Sequence, residues 1–458
     1  MSSHASNAER ATFVSELAVG LSVSVVTLSL SAAFGVLSGR GAFAGMLSAC
    51  IIGLVAAALG GARVQVSGPT GPMSALAAVV MAGAVAYAEE HGGLYTAVHF
   101  FNLVLWQSAA LLALGGLFRI GRFIQLVPNV VISGFMNGIA LIIWMSQGKR
   151  LLGLNDHGPL DGGVWLNLVV AAATFGLTFA GPPLLRRIHP RAAIYFPAML
   201  FALLIMTFVC VLGGVGVETV NMAQGLDSFA AVFALVQEHW LPGLTLNAFL
   251  VALPFSIQIA LLCYMDSLLT LRILDRLTGR TSQPNRELGA QGFAMGLVAL
   301  IGGTPGAAAT ERSVMALREG AATRVAGIAM ALFAFVQFLA LQDLVGYIPV
   351  AVFSGLLFRL GWDVFDKLPM RLYAREWARG RIRPLESWLA RHDDEPIFVT
   401  HLEMALIVLT MVVTGAVNLI AAVLLATLAF HAVQRFIAHG APLRDLRPLT
   451  ETGPRLDT

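Results

Sequence analysis

Fourteen apolar runs, several of them short or Gly-interrupted so that hydropathy alone could give twelve, constrain this chain before anything else does. They lie at about 12–37, 42–60, 73–88, 94–118, 127–148, 163–182, 192–214, 249–271, 286–302, 308–318, 324–342, 346–360, 402–417 and 419–437. A helix crosses a bilayer in about 20 apolar residues, and most of the runs approach that length. They are continuous, whereas barrel strands alternate apolar and polar residues. Backbone in hydrocarbon must satisfy its own hydrogen bonds, which leaves helices as the spanning element. Only 12% of the residues are charged, against about 25% in soluble domains. The predicted class is an all-α polytopic membrane protein with 14 transmembrane segments, which excludes a soluble enzyme and a nucleic-acid partner. Cys50, Cys210 and Cys263 all fall in apolar runs and read as packing residues without disulfide or metal spacing.

Charge placement orients the chain. With the N-terminus inside, alternate connections hold Arg119 and Arg122, then Arg186, Arg187 and Arg191, then Arg272, Arg276, Arg280 and Arg286, then Arg318 and Arg324, then the tract from Arg359 to Arg391. The longest outside connection, about 215–248, has Glu218, Asp227 and Glu238 but no Lys or Arg. This obeys the positive-inside rule, with Arg40, Lys149 and Arg150 as exceptions, and puts both termini in the cytoplasm of a cell's inner (plasma) membrane. Residues 1–11 read as a polar cytoplasmic tail without a cleavable signal, 12–437 as the transmembrane domain, and 438–458 as a short cytoplasmic tail. The tract Lys367–Glu395 reads as an amphipathic helix at the inner surface, with Trp377 and Trp388 at the interface, or as a solvated loop.

Two stretches break the pattern. Gly302–Gly320 opens on Gly and Pro, then carries Glu311 and Arg312; Val66–Met73 reads VSGPTGPM. Each resembles a broken backbone followed by a helix start, with Thr310 or Thr70 near the tip. Pro69, Pro72 and Pro305 stop a continuous helix. A helix start leaves N–H groups unpaired and carries partial positive charge, so two facing starts form an anion site. Thr70 and Thr310 offer hydroxyls, Gln65 is a further polar candidate, and Arg63–Ser67 alternates as a short extended segment would. Splitting the chain near residue 240 makes each break the third segment of a seven-helix half. An odd number per half inverts the second half, so half-helices 3 and 10 approach the midplane from opposite faces.

Asp266 is flanked on its N-terminal side by eight or more apolar residues, the last seven, Ile259–Met265, uninterrupted, and an acid within the membrane is a functional candidate by default. Thr270 is at i+4 on the same helix face. Carboxylate, hydroxyl and freed carbonyls suit a small cation such as Na⁺; equally, the carboxylate is able to carry a proton, or to pair with Arg312. Arg312 faces the substrate, pairs with Asp266 or Glu311, or lies at the cytoplasmic mouth. Glu311 in a first helical turn suits the dipole without any other role; it is grouped with the cation-coupling candidates. Asn129, Ser133, Asn137 and Asn418 read as helix–helix hydrogen bonders. His99, His401 and His431 show no metal-ligand spacing.

At these residues the chain resembles the sulfate permease family of anion transporters (solute carrier 26). The likeness rests on LSAAFGVLSGRGAFAGM (30–46), GGARVQVSGPTGPM (60–73), VVISGFMNGI (130–139), the block 265–292 from MDSLLTLRIL to GAQG, and GGTPGAAATERSVMALREGAATRVAGI (302–328). It covers about 12–437. It implies a 7+7 inverted repeat, and a core domain (about 12–118 and 249–342) that moves against a gate domain (about 127–214 and 346–437). It also implies a homodimer in the lipid bilayer working by an elevator-like motion. Asp266, Thr270 and Ala307–Thr310 look closest to the family's sodium-dependent bicarbonate branch. Carried over, that puts Asp266, Thr270 and Ala308 near a cation, and Thr70, Ala309 and Thr310 near the anion. Arg312 departs from that branch and matches an Arg that many other members have at the anion site; Ser29 and Asn418 also depart from the family pattern. The family's usual C-terminal STAS domain is expected to be absent.

The function expected is a secondary transporter of a small inorganic oxyanion, bicarbonate or sulfate, driven by Na⁺ or H⁺. It is not an enzyme and uses no cofactor, with Na⁺ as the candidate coupling ion. A dicarboxylate or nucleobase carrier on the same fold, an uncoupled anion channel and a non-transporting scaffold are the rivals.

Overall fold

The computed structural model describes residues 2–91, 95–122, 128–154, 159–188, 198–220, 229–380, 399–416 and 419–436. The described residues form sixteen helices and one two-stranded sheet. The first part runs α1 (Ser2–Leu37), α2 (Gly41–Leu59), β1 (Ser67–Gly68), α3 (Gly71–His91), α4 (Ala97–Leu117), α5 (Asn129–Leu151), α6 (Val164–Ile188), α7 (Ala198–Leu212) and α8 (Phe229–His239). The second runs α9 (Leu246–Thr278), α10 (Pro284–Leu300), β2 (Ala307–Ala308), α11 (Thr310–Arg318), α12 (Arg324–Val345), α13 (Val350–Val364), α14 (Leu368–Ala378), α15 (His401–Ala416) and α16 (Leu419–Phe436). Each of the fourteen apolar runs becomes a helix.

Seven helices among the described residues are long and apolar enough to cross a membrane, including Phe13–Leu37 within α1 and Leu246–Asp275 within α9. Phe201–Leu212, Arg324–Ala340 and His401–Thr414 are shorter apolar helices. Residues 2–11 continue α1 as helix. Two helices lie outside the runs. One is α8, within the connection at 215–248. The other is α14, in the Arg- and Trp-rich tract: Pro369 and Leu372 are buried, while Arg371, Arg375, Trp377 and Arg379 are exposed. That is the amphipathic option over residues 367–380; Trp388 lies outside the described residues, as do Asn418 and the predicted tail 438–458.

Local chemistry sets the helix ends. Thr96 caps α4, its hydroxyl accepting from the His99 N–H, with the His99 ring returning to the Thr96 N–H. Thr245 caps α9, and Gly279 ends it in the left-handed conformation. The start of α12 is capped from another helix. Buried Glu16 of α1 accepts from the N–H groups of Ala322, Thr323 and Ala326 at 2.8, 3.0 and 3.1 Å.

The chain divides into two compact units, Met1–Arg122 with Ser146–Arg359, and Phe123–Met145 with Leu360–Thr458. In the first, α1 packs on α2 and α12, and α10 lies along α4 and α2. Small residues set these distances: a Cβ on Gly45 of α2 would run into the Ser31 carbonyl of α1. Val23, Met46, Met330, Phe338 and Phe353 belong to its apolar core. In the second unit Val130, Leu406, Ile407 and Phe430 pack together. There Asn137 accepts from the Asp366 N–H at 2.6 Å and donates to the Asp366 carbonyl at 3.4 Å.

Candidate anion and cation site

Both breaks are present, and they meet. After α2 the chain bends at Gly60–Gly61 and again at Arg63–Val64 before β1, then restarts as α3 at Gly71; after α10 it turns at Gly302, runs to β2, and restarts as α11 at Thr310. β1 and β2 pair antiparallel, Ser67 opposite Ala308 and Gly68 opposite Ala307. Pairing across the breaks satisfies backbone that neither helix satisfies, as an apolar setting demands. It also requires glycine: a Cβ on Gly306 would overlap the Gly68 carbonyl. Gly302 has φ 72°, and a Cβ there would strike the His239 ring. The Gly302 carbonyl accepts from Arg40 Nη2, and Arg40 sits 5.4 Å above the Phe101 ring. These contacts give Arg40, an exception to the charge pattern, a structural role. His239 Nδ1 lies 2.8 Å from the Leu235 carbonyl, and burial holds the ring's pKa below the ordinary histidine value.

At the first tip, the Thr70 hydroxyl donates to Asp266 Oδ2 at 3.3 Å, and its oxygen lies 3.5 Å from the Met73 N–H as a weak cap. At the second, Thr310 Oγ1 is 2.6 Å from Thr270 Oγ1, and Thr270 Oγ1 is also 3.3 Å from the Ala308 carbonyl. The Ala308 N–H donates to Ser267 at 3.2 Å. The α9 residues Asp266, Ser267 and Thr270 therefore bridge the two tips. The Ala309 N–H is committed to the Val66 carbonyl at 2.9 Å. α11 has no side-chain cap at its start, so its first N–H groups lack a capping acceptor.

Arg312 is 4% exposed. Its Nη2 donates to the Pro69 carbonyl at 2.7 Å, while Nη1 is buried with no hydrogen-bond partner among the described residues. A Cβ built on Gly68 would lie 3.2 Å from Nη1. The guanidinium thus reaches from the second break across to the first, and hydrogen-bonds a carbonyl there rather than Asp266. Glu311 is exposed, apart from half-buried Asp266 and buried Thr270.

Gln65 points elsewhere. Its amide donates to Ser67 Oγ at 2.9 Å and to Glu287 Oε1. Gln291 makes the same pair, to Ser67 Oγ at 3.0 Å and Glu287 Oε1 at 2.8 Å, and the Gly61 N–H donates to Glu287 Oε2 at 2.8 Å. Glu287 is fully buried. Its carboxylate ties the approach to β1 onto α10, so the donors of Gln65 are spent on that clamp. Arg324 holds the end of α2, donating to the carbonyls of Ala57, Ala58 and Gly60. Ser67, Ser267, Ser313 and Glu287 support the site and were not singled out from sequence. The signal for Glu287 was an acid four residues before Gln291 at a Pro-initiated helix start. Ser313 fixes the break by accepting from the Val66 N–H at 2.9 Å.

The sequence profile of the sulfate permease family matches residues 13–375. The chain belongs to the sulfate permease family. Bicarbonate transporter BicA of a Picosynechococcus species is 30% identical over 361 residues, covering 76% of this chain and 61% of that protein. The chain thus spans about three-fifths of the length of its BicA relatives. The solved transmembrane domain of a cyanobacterium bicarbonate transporter BicA superposes with a TM-score of 0.71 at 26% identity, over 89% of this chain and 96% of that one. Murine Solute Carrier 26 family member A9, an anion transporter in the inward-facing state, gives 0.69 at 15% identity, over 92% and 68%; that likeness shows the fold. The family is one of membrane transporters, not enzymes, and several helices here suit a multi-pass membrane protein.

Proposed function

We propose that this chain is a secondary active transporter of a small inorganic oxyanion, bicarbonate or sulfate, coupled to Na⁺ or H⁺. The observation that carries the reading is Arg312. A buried guanidinium with Nη2 tied to a backbone carbonyl and Nη1 without a hydrogen-bond partner among the described residues is costly unless an anion completes it. The uncapped start of α11 supplies neutral N–H donors at the same junction, and the hydroxyls of Thr70 and Thr310, bonded to Asp266 and Thr270 in this structure, turn to the anion when it enters. The anion sits at the β1–β2 junction between the two tips, with Ala309 beside it. Asp266 and Thr270, with the Ala308 carbonyl, hold the coupling cation or proton. Asp266 also disfavours anion binding until that charge is met, which links the two ligands.

In this reading the fold is fourteen spans in a 7+7 inverted repeat, with α3 and α11 as half-helices of the moving core. The gate is drawn from the remaining spans, both termini are cytoplasmic, and the chain works as a homodimer. Asp266→Asn is the test, in proteoliposomes loaded with the purified full chain. It should melt like wild type but lose uptake driven by a Na⁺ or pH gradient. Wild-type gradient-driven uptake by Asp266→Asn would remove the carboxylate from the coupling step.

A further inference from the structure

We infer that the first unit carries a second anion site, remote from Arg312, that takes a phosphate-type dianion. A cavity of about 250 Å³ lies where the α2–β1 connection, the end of α9 and the end of α11 converge. Arg63, Thr278, Arg280, Thr281, Ser282 and Leu317 help to line it. Two of its donors are committed: Thr278 Oγ1 donates to the Leu274 carbonyl at 2.7 Å, and Ser282 Oγ to Asp275 Oδ1 at 2.6 Å. The Ser282 N–H also donates to Asp275 Oδ1, at 2.9 Å, so that carboxylate is occupied in holding the loop. Arg63, Arg280 and Thr281 are exposed at the cavity's open side and make no hydrogen bond or ion pair among the described residues.

The cavity therefore presents two uncommitted guanidiniums and a hydroxyl, while the three carboxylates at its wall, Asp275, Glu16 and Glu287, are each engaged by donors of Ser282, Ala322 and Gly61. Arg63 also lies within electrostatic reach of Arg324, beside Arg286 and the opposing Glu287. Guanidinium forks match the oxygens of a phosphate group, and two of them favour a doubly charged one. The volume is below that of drug-sized pockets and suits a phosphate with its waters. An occupant there touches the strand leading to β1 and the helix leaving Thr310, so it holds both tips from behind. The site carries the charge pattern of the cytoplasmic end, where two sources offer this chemistry: free phosphate compounds, and phosphomonoester lipid headgroups.

The test uses the full chain purified in a maltoside detergent, with inorganic phosphate as the probe and calorimetric titration as the readout. Wild type should bind phosphate saturably. Arg63→Gln with Arg280→Gln should weaken that binding about tenfold or more while leaving the melting temperature unchanged. Thr281→Val, a milder change, should weaken it about threefold and guards against a misfolded double variant. Arg312→Gln should leave phosphate binding intact, which separates this site from the transport site. No saturable phosphate binding by wild type, equal binding by the double variant, or loss in Arg312→Gln alone each overturns the proposal. In nanodiscs, competition by phosphatidic acid would identify a lipid headgroup as the occupant, and undiminished phosphate binding there would identify the free ion.

Discussion

Replacing Arg312 by Gln removes a cation at the β1–β2 junction that is buried and, among the described residues, half unpaired. Its worth can be gauged from its surroundings. Nη2 is fixed to the Pro69 carbonyl at 2.7 Å, so Nη1 is held in place before any anion arrives. One charge-assisted hydrogen bond contributes about 1.5–3 kcal/mol. Two unit charges about 4 Å apart at an effective dielectric constant near 20 attract by about 4 kcal/mol. Part of that is offset by stripping water from the anion. A net loss of about 2–4 kcal/mol corresponds to about 30- to 1,000-fold in affinity. Arg312→Lys keeps the charge but has one ammonium to serve both the Pro69 carbonyl and the anion, so it should fall between wild type and Gln. The assay is initial uptake of labelled bicarbonate and of sulfate against concentration, in proteoliposomes, with a melting curve for each variant. The half-saturating concentration should rise in the order Arg, Lys, Gln. An unchanged half-saturation in Arg312→Gln, with the protein folded, would refute the assignment of Nη1 to the anion.

Two other perturbations test the supports of the site. Glu287→Ala strands two buried donors, from Gln65 and Gln291, at about 1–3 kcal/mol each, and the part-buried N–H of Gly61. Its melting temperature in detergent should drop well below wild type, with Glu287→Gln between them; a wild-type melt for Glu287→Ala would show that the clamp contributes nothing. His239 has its pKa depressed by burial, so the unfolded chain takes up that proton first. Its contribution to stability is therefore present above the unfolded pKa of about 6.5 and is lost as pH falls below it. Wild type should lose more melting temperature between pH 7.5 and 5.5 than His239→Gln does, and equal losses would contradict the burial argument.

The helical membrane class was legible because hydrocarbon permits so few structures that fourteen apolar runs and their flanking arginines leave little choice. The two breaks were legible because Gly and Pro interrupt a helix wherever they cluster. Their pairing was not: Ser67 and Ala308 lie far apart in sequence, and two-residue strands carry no periodicity. The alternation of Arg63–Ser67 hinted only at an extended chain. Gln65 looked like a ligand because a polar residue beside a break has no visible partner, and its partner Glu287 sits on another helix start. The sequence around Arg312 is compatible with three placements, and only the geometry separates a bond to Pro69 from an ion pair with Asp266. α8 escaped notice because its eight apolar residues, Phe229–Val236, are too few to register as a span.

The central claim is a coupled anion site at the junction of the two breaks. Its most direct test is uptake of labelled bicarbonate and sulfate by wild-type proteoliposomes, with Na⁺ and pH gradients imposed separately. The account predicts saturable accumulation of one of these anions above its equilibrium level under one of the two gradients. Flux that merely follows the anion gradient, whatever the cation, would contradict it.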